Sequence, residues 1–132
     1  MKAPKYWTPW FFENSRIPKW LSYISPISIK AITLGPLVFS EEEMDQRVRR
    51  HETIHFQQYI ELGFIGFWCL YLWDYAKGYI KHKDGSKAYY SIRFELEAYK
   101  HDQEANYLDN RKRYCWWKMN EEDNGDDKIN RV

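Results

Sequence analysis

The sequence predicts an α+β fold, mostly helical, with three main helices and a small β-hairpin or edge strand ahead of them. Three observations carry that expectation. Residues 27–31 alternate apolar and polar at period two, and the run continues to residue 39 with one break, at Gly35-Pro36. Residues 44–62 repeat apolar positions at helical spacing behind an acidic start. Residues 64–112 continue in a helical pattern that only the Asp84-Gly85-Ser86 turn interrupts.

Taken in order, residues 1–26 hold four of the five prolines together with many aromatics. They are expected to form an irregular arm whose Trp and Phe residues are partly buried on the core. Ile27, Ile29 and Ala31 alternate with Ser28 and Lys30, the run continues through Ile32 to Leu34, and Leu37, Val38 and Phe39 resume it. That is a pair of short strands or one kinked edge strand. Ser40 with Glu41, Glu42 and Glu43 reads as a helix start, a capping box with acids at the positive end of the helix. Met44, Val48, His51, His55, Phe56, Tyr59, Ile60 and Leu62 then mark one face, apolar apart from the histidines, and Gly63 is the expected stop. A second helix over residues 64–81, apolar nearly all round at its start, suits a central place in the core. Asp84-Gly85-Ser86 caps a third helix over residues 87–112. A single domain over residues 1–118 is therefore expected, followed by a disordered charged tail over 119–132, which has almost no apolar residue.

Composition narrows the function. The chain of 132 residues suits one core. Its 20 basic and 19 acidic residues leave a formal charge of +1, which gives no overall field for nucleic acid. Cys69 and Cys115 lie in different segments without a CxxC pattern, so neither a disulfide framework nor a thiolate zinc site is suggested. No signal peptide is apparent, because Pro9 and Glu13 interrupt the apolar stretch after Lys2 and Lys5. The longest uncharged apolar run, residues 62–73, reaches about 18 Å as a helix against a hydrocarbon core of about 30 Å, too short to span. A cytoplasmic location is expected. Seven Trp and eleven Tyr are a heavy aromatic load, suited to buried area, to a protein interface or to peripheral membrane contact.

The chemistry concentrates in His51-Glu52-Thr53-Ile54-His55, an HExxH sequence in the middle of the first helix. Residues four apart on a helix are about 40° apart around the axis and one turn apart along it, so the two imidazoles project side by side and can share one cation. Glu52 lies about 100° further round, where its carboxylate can serve as base for an attacking water. The histidines fall on an otherwise apolar face, where unpartnered ring nitrogens are costly and a metal would satisfy them. A metzincin site would need Gly and His where this chain has Gln58 and Glu61.

At this point the sequence resembles the gluzincins, zinc metallopeptidases in which HExxH is completed by a glutamate from a later helix. Phe94-Glu95-Leu96-Glu97-Ala98-Tyr99 is similar to the FExxAD-type segment of the prenyl-protein and heat-shock endopeptidases of that group. The resemblance spans about residues 27–108, with its specific part confined to HETIH and FELEAY. It implies a minimal zincin that binds one Zn²⁺ per chain through His51, His55 and Glu95, with Glu52 catalytic. Ala98 matches a small residue that permits close helix approach. Tyr99 departs from the pattern, standing where those families place an aspartate against a histidine ligand; the phenol itself or Asp102, one turn on, is the available substitute. Glu97 is the alternative third ligand, which periodicity alone does not separate from Glu95, and His101 is a competing donor.

The activity implied is hydrolysis of peptide bonds in a peptide or protein substrate, with Tyr89, Tyr90, Tyr99 or His82 as candidates to stabilise the oxyanion. In zincins an edge strand beside the active-site helix pairs with substrate backbone, a role open to residues 29–34. The competing reading is a non-enzymatic, aromatic-rich binding module for a protein or membrane-interface partner, with or without a structural zinc. A third keeps the zinc hydrolase chemistry for a non-peptide amide.

Overall fold

The computed structural model describes residues 6–23 and 31–119. Part of the predicted strand, residues 27–30, and the predicted tail from residue 120 onward lie outside the described residues.

The arm predicted to be irregular contains two regular elements. Strand β1, Trp10–Phe12, pairs in parallel with a later strand, and helix α1 covers Ile17–Ser22 with Pro18 in its first turn. Proline is harmless there, because the first N–H groups of a helix have no partner to lose. Trp7, Trp10 and Trp20 stay exposed, against the expectation of partial burial. Gly35 takes φ 62°, a glycine conformation, and turns β2, Ala31–Leu34, into β3, Leu37–Ser40. The two strands form an antiparallel hairpin in a sheet of order β1-β3-β2, so the expected strand pair is present and β2 is an edge.

Helix α2 spans Gln46–His82, broken at Gly63. Its cap is Asp45, whose carboxylate accepts from the Val48 N–H at 2.9 Å, not Ser40 as the sequence suggested. Ser40 pairs with Ala31 in the sheet, and its hydroxyl donates to the Glu42 carbonyl. Gly63 sits at φ 73°, ψ 169°, a conformation essentially reserved for glycine, and it divides α2 into arms over 46–62 and 64–82. The stop expected at Gly63 is therefore a break, after which helix resumes at once.

The long third helix of the sequence reading is three helices. Asp84 caps α3, Gly85–Ser91; α4 covers Arg93–His101 and α5 covers Tyr107–Asn110. The chain turns at Ile92, whose ψ of 129° is extended, because α4 receives its cap from elsewhere. The Asp74 carboxylate on α2 accepts from the Arg93 N–H at 3.1 Å and from its guanidinium at 2.8 and 3.0 Å. Gly78 lets α2 and α3 touch: a Cβ there would lie 3.0 Å from the Ala88 Cα and closer still to the Ser91 hydroxyl. A 3-10 turn, Cys115–Lys118, seats Trp116 against Phe94.

The core stacks Tyr59 on Phe67 at 3.9 Å and Phe67 on Phe94 at 4.6 Å, closed by Ile92 and Trp116. A second cluster of Ile54, Ala98 and Leu108 receives Tyr6, which places the start of the arm on the helices. Contrary to what its composition predicted, the second half of α2 is not central; only Phe67, Asp74 and Gly78 of that arm are buried. Helices α3 and α4 cover one side of it, and among the described residues nothing covers the other.

Candidate metal centre

Three buried side chains meet between α2 and α4. His51 and His55 lie one turn apart on the first arm of α2, and Glu95 stands in the first turn of α4. Their donor atoms form a near-equilateral triangle. His51 Nε2 is 3.2 Å and His55 Nε2 3.1 Å from the same Glu95 oxygen, and the two nitrogens are 3.2 Å apart. Ligands held about 2.0–2.1 Å from a tetrahedral cation stand roughly 3.3–3.4 Å from one another, so this triangle fits a small divalent ion with little adjustment. The group could hold a metal.

Both imidazoles are aimed by their far nitrogens. His51 Nδ1 donates to the Asp102 carboxylate at 3.1 Å. Asp102 is itself held by Arg47, 3.1 Å from the same oxygen, while Arg50 binds its carbonyl at 2.7 Å. The carboxylate that the resemblance placed at Tyr99 is thus supplied by Asp102. Tyr99 instead lays its ring against His51, centroids 4.5 Å apart.

His55 Nδ1 faces Gln58 Oε1 at 2.8 Å. The Gln58 amide is fixed because its nitrogen donates to two acceptors, the Phe94 carbonyl at 3.1 Å and Glu97 at 3.0 Å. Its oxygen must then face His55, which puts the proton on Nδ1 and leaves the Nε2 lone pair for the centre. Gln58 is fully buried for this reason.

Glu97 is not a member of the triangle. Arg111 donates to its two oxygens at 2.5 and 3.1 Å and Tyr107 to one of them at 2.7 Å, while Arg111 also grips Glu61 at 2.7 and 3.0 Å. Burial raises the Glu97 pKa, but the Arg111 hydrogen bonds and charge outweigh it and hold the carboxyl below its ordinary range. His101 stacks on Tyr107 and pairs with Glu104, away from the centre.

The electrostatics ask for positive charge between the three donors. Burial lowers the His51 pKa, yet hydrogen bonds to Asp102 and Glu95 overcome this and push it up to about 10. His55 is also raised, burial being outweighed by the Glu95 charge. Glu95 falls well below the carboxylate range, because both imidazoles outweigh its burial. A cation satisfies the same field without protonating the ligands.

Glu52 lies beside the triangle with one oxygen accepting from the Thr33 hydroxyl at 2.7 Å, a contact from edge strand β2. The Thr33 carbonyl is engaged too, by the Tyr59 hydroxyl at 2.7 Å. Tyr71 donates to the second Glu95 oxygen at 2.9 Å. Burial and the Glu95 charge raise its phenol well above the ordinary range, so it remains a donor. Of the tyrosines expected near the site, Tyr89 and Tyr99 bond each other at 2.9 Å through their hydroxyls. Tyr71 escaped the sequence reading although its period marks it: it follows the buried Phe67 by four residues and precedes the buried Asp74 by three. Thr33 and Arg111 carry no comparable local signal.

No protein-family model matches the chain, and no curated protein or solved structure matches it either, so the reading of this centre rests on its own residues.

Proposed function

We propose that the chain is a zinc-dependent metallopeptidase of gluzincin type, a minimal single-domain zincin that holds one Zn²⁺ through His51, His55 and Glu95. The observation that carries the reading is the meeting of two histidine Nε2 atoms and one Glu95 oxygen within 3.2 Å, with the Glu52 carboxylate near enough for its charge to act on both imidazoles. The donor set, two imidazoles and one carboxylate, suits zinc and leaves a fourth position free for water or substrate.

Zinc in that place would supply Lewis acidity, polarising a substrate carbonyl and lowering the pKa of water from 15.7 to about 7. The protein supplies the rest. Glu52 accepts the proton of the attacking water as its oxygen bonds to the carbonyl carbon, then returns a proton to the amide nitrogen as the C–N bond breaks. Thr33 holds Glu52 in register from β2. Tyr71 fixes Glu95 through the oxygen turned away from the histidines. Asp102 and Gln58 keep both imidazoles in the tautomer that exposes Nε2.

Elemental analysis of wild type beside His55→Ala, Glu95→Ala and Glu97→Ala tests the site, and peptidase assay of wild type and Glu52→Gln tests the activity. The expected result is about one zinc per chain, lost with His55 or Glu95 and kept with Glu97, and cleavage lost with Glu52→Gln while zinc is kept. Zinc-free wild type after zinc loading, or cleavage unaffected by Glu52→Gln, would overturn it. The binding-module reading keeps one observation in its favour, the exposed apolar face of α2.

A further inference from the structure

The arm of α2 over residues 64–82 turns an apolar face to solvent. Ile65, Cys69, Leu72, Trp73, Ala76 and Ile80 follow one another at helical spacing and are all exposed, Ile65 at 77%, Ile80 at 75% and Leu72 and Trp73 at 60% each. A helix on the surface of a globular protein carries its charged residues on this face. Here the only acidic residue of the arm, Asp74, is buried against Arg93. Four large side chains, Ile65, Leu72, Trp73 and Ile80, exposed over about 23 Å of helix together with Cys69 and Ala76 exceed the scattered apolar residues of an ordinary surface and mark a docking face.

Charge identifies what docks there. Lys77 follows Trp73 by four residues and Lys81 follows Lys77 by four, so the two lie along one flank of the stripe, with Lys83 just past the helix end. All three are exposed, Lys77 also lying 3.7 Å from the buried Asp74 and Lys83 next to the exposed cap Asp84, and between residues 64 and 82 no acidic residue lies on the outer side. Trp73 and Tyr79 on or beside the stripe are amphipathic rings of the kind that settle at the headgroup level. The patch extends beyond the helix: the Phe64 ring packs beside Gly35, and the Trp10 N–H donates to the Pro36 carbonyl at 2.8 Å, which brings the exposed Trp10 to the same turn. No helix among the described residues is long and apolar enough to cross a membrane, so contact along the surface is the geometry that fits.

We propose that this face docks in the plane of an anionic lipid surface, the stripe sinking among the acyl chains while Lys77, Lys81 and Lys83 reach the headgroups. The stripe supplies the apolar area and the basic flank the preference for negative charge.

Co-sedimentation of the full chain with vesicles tests it, using equal parts phosphatidylglycerol and phosphatidylcholine beside phosphatidylcholine alone. Wild type is expected to pellet with the anionic vesicles and less with the neutral ones. Leu72→Glu with Ile80→Glu, at exposed positions, should lower the partition by about tenfold or more with helicity unchanged. Lys77→Gln with Lys83→Gln should lower it by about fivefold for each lysine, on the anionic vesicles only. Wild type left in the supernatant with both vesicles, equal partition onto both, or full binding by the double Glu variant would each overturn the proposal. A concentration-dependent dimer that Leu72→Glu abolishes, without vesicle binding, would assign the face to a second copy instead.

Discussion

His51 Nδ1 lies 3.1 Å from the Asp102 carboxylate, which is completely buried and reaches it from the residue just past the end of α4. A ligand imidazole gains basicity and a fixed orientation from such a contact. Asp102→Ala should therefore weaken metal binding by about 10–100-fold. Competition with a chromophoric chelator measures this directly, and an unchanged affinity would sink the role given to Asp102.

The Thr33 hydroxyl reaches Glu52 twice, its carboxylate at 2.7 Å and its backbone carbonyl at 3.3 Å, and touches none of the proposed metal ligands. If Glu52 is the base, Thr33→Val should leave metal content unchanged and lower the turnover of a peptide substrate by about tenfold. Loss of metal in that variant would mean that Thr33 supports the fold of the site and not its base.

Arg111 lies between Glu61 and Glu97, with all three side chains at least 95% buried. Removing a partner from a buried ion network leaves charge without compensation, so Arg111→Ala should destabilise the protein by about 3–5 kcal/mol. Urea unfolding of the two proteins gives the value. A change under about 1 kcal/mol would show that water reaches the network.

Gly63 and Gly78 should both resist alanine, for different reasons. At Gly63 a Cβ meets nothing within 4 Å but the backbone, at φ 73°, is strained for any other residue, costing about 1–3 kcal/mol. At Gly78 the backbone is helical and the Cβ collides with α3. Circular dichroism separates them, read in the far-UV on heating and in the near-UV for aromatic packing: Gly63→Ala should lower the melting temperature without altering the near-UV spectrum, whereas Gly78→Ala should also weaken the near-UV signal of the neighbouring tyrosines.

The cysteines should differ in reactivity. Cys69 is exposed, whereas burial and the Glu97 charge push the Cys115 thiol up to about 11, where its thiolate is only about one part in a thousand at pH 8. Iodoacetamide at that pH should modify Cys69 first, followed by mass spectrometry. Equal rates would contradict the burial of Cys115.

What could be read from the sequence was local. The His51–His55 pair, the Gly63 break and the Asp84 cap each depend on residues a turn or so apart. The Gly35-Pro36 hairpin is similarly self-contained. What stayed hidden was supplied across the chain. The end of α3 at Ile92 follows from an acceptor on Asp74, nineteen residues before Arg93, and no pattern around residue 92 announces it. Ser40 had the chemistry of a cap but β3 claimed it, leaving the task to Asp45. Glu95 and Glu97 were equivalent by periodicity; Arg111 separates them by occupying one. The second arm of α2 read as core because its composition is apolar, and composition does not say whether neighbours exist to cover it.

The same arm grips α4 at two points, Asp74 on Arg93 and Tyr71 on Glu95, two residues apart. Glu95 therefore takes its position from the helix whose opposite side is the exposed apolar stripe. A force that tilts this arm would act as on a lever, displacing Glu95 relative to His51 and His55 on the other side of the Gly63 break. If a metal binds at Glu95 and a surface engages the outer face, the two events share one thermodynamic cycle, and whatever either does to the other must be returned in equal measure.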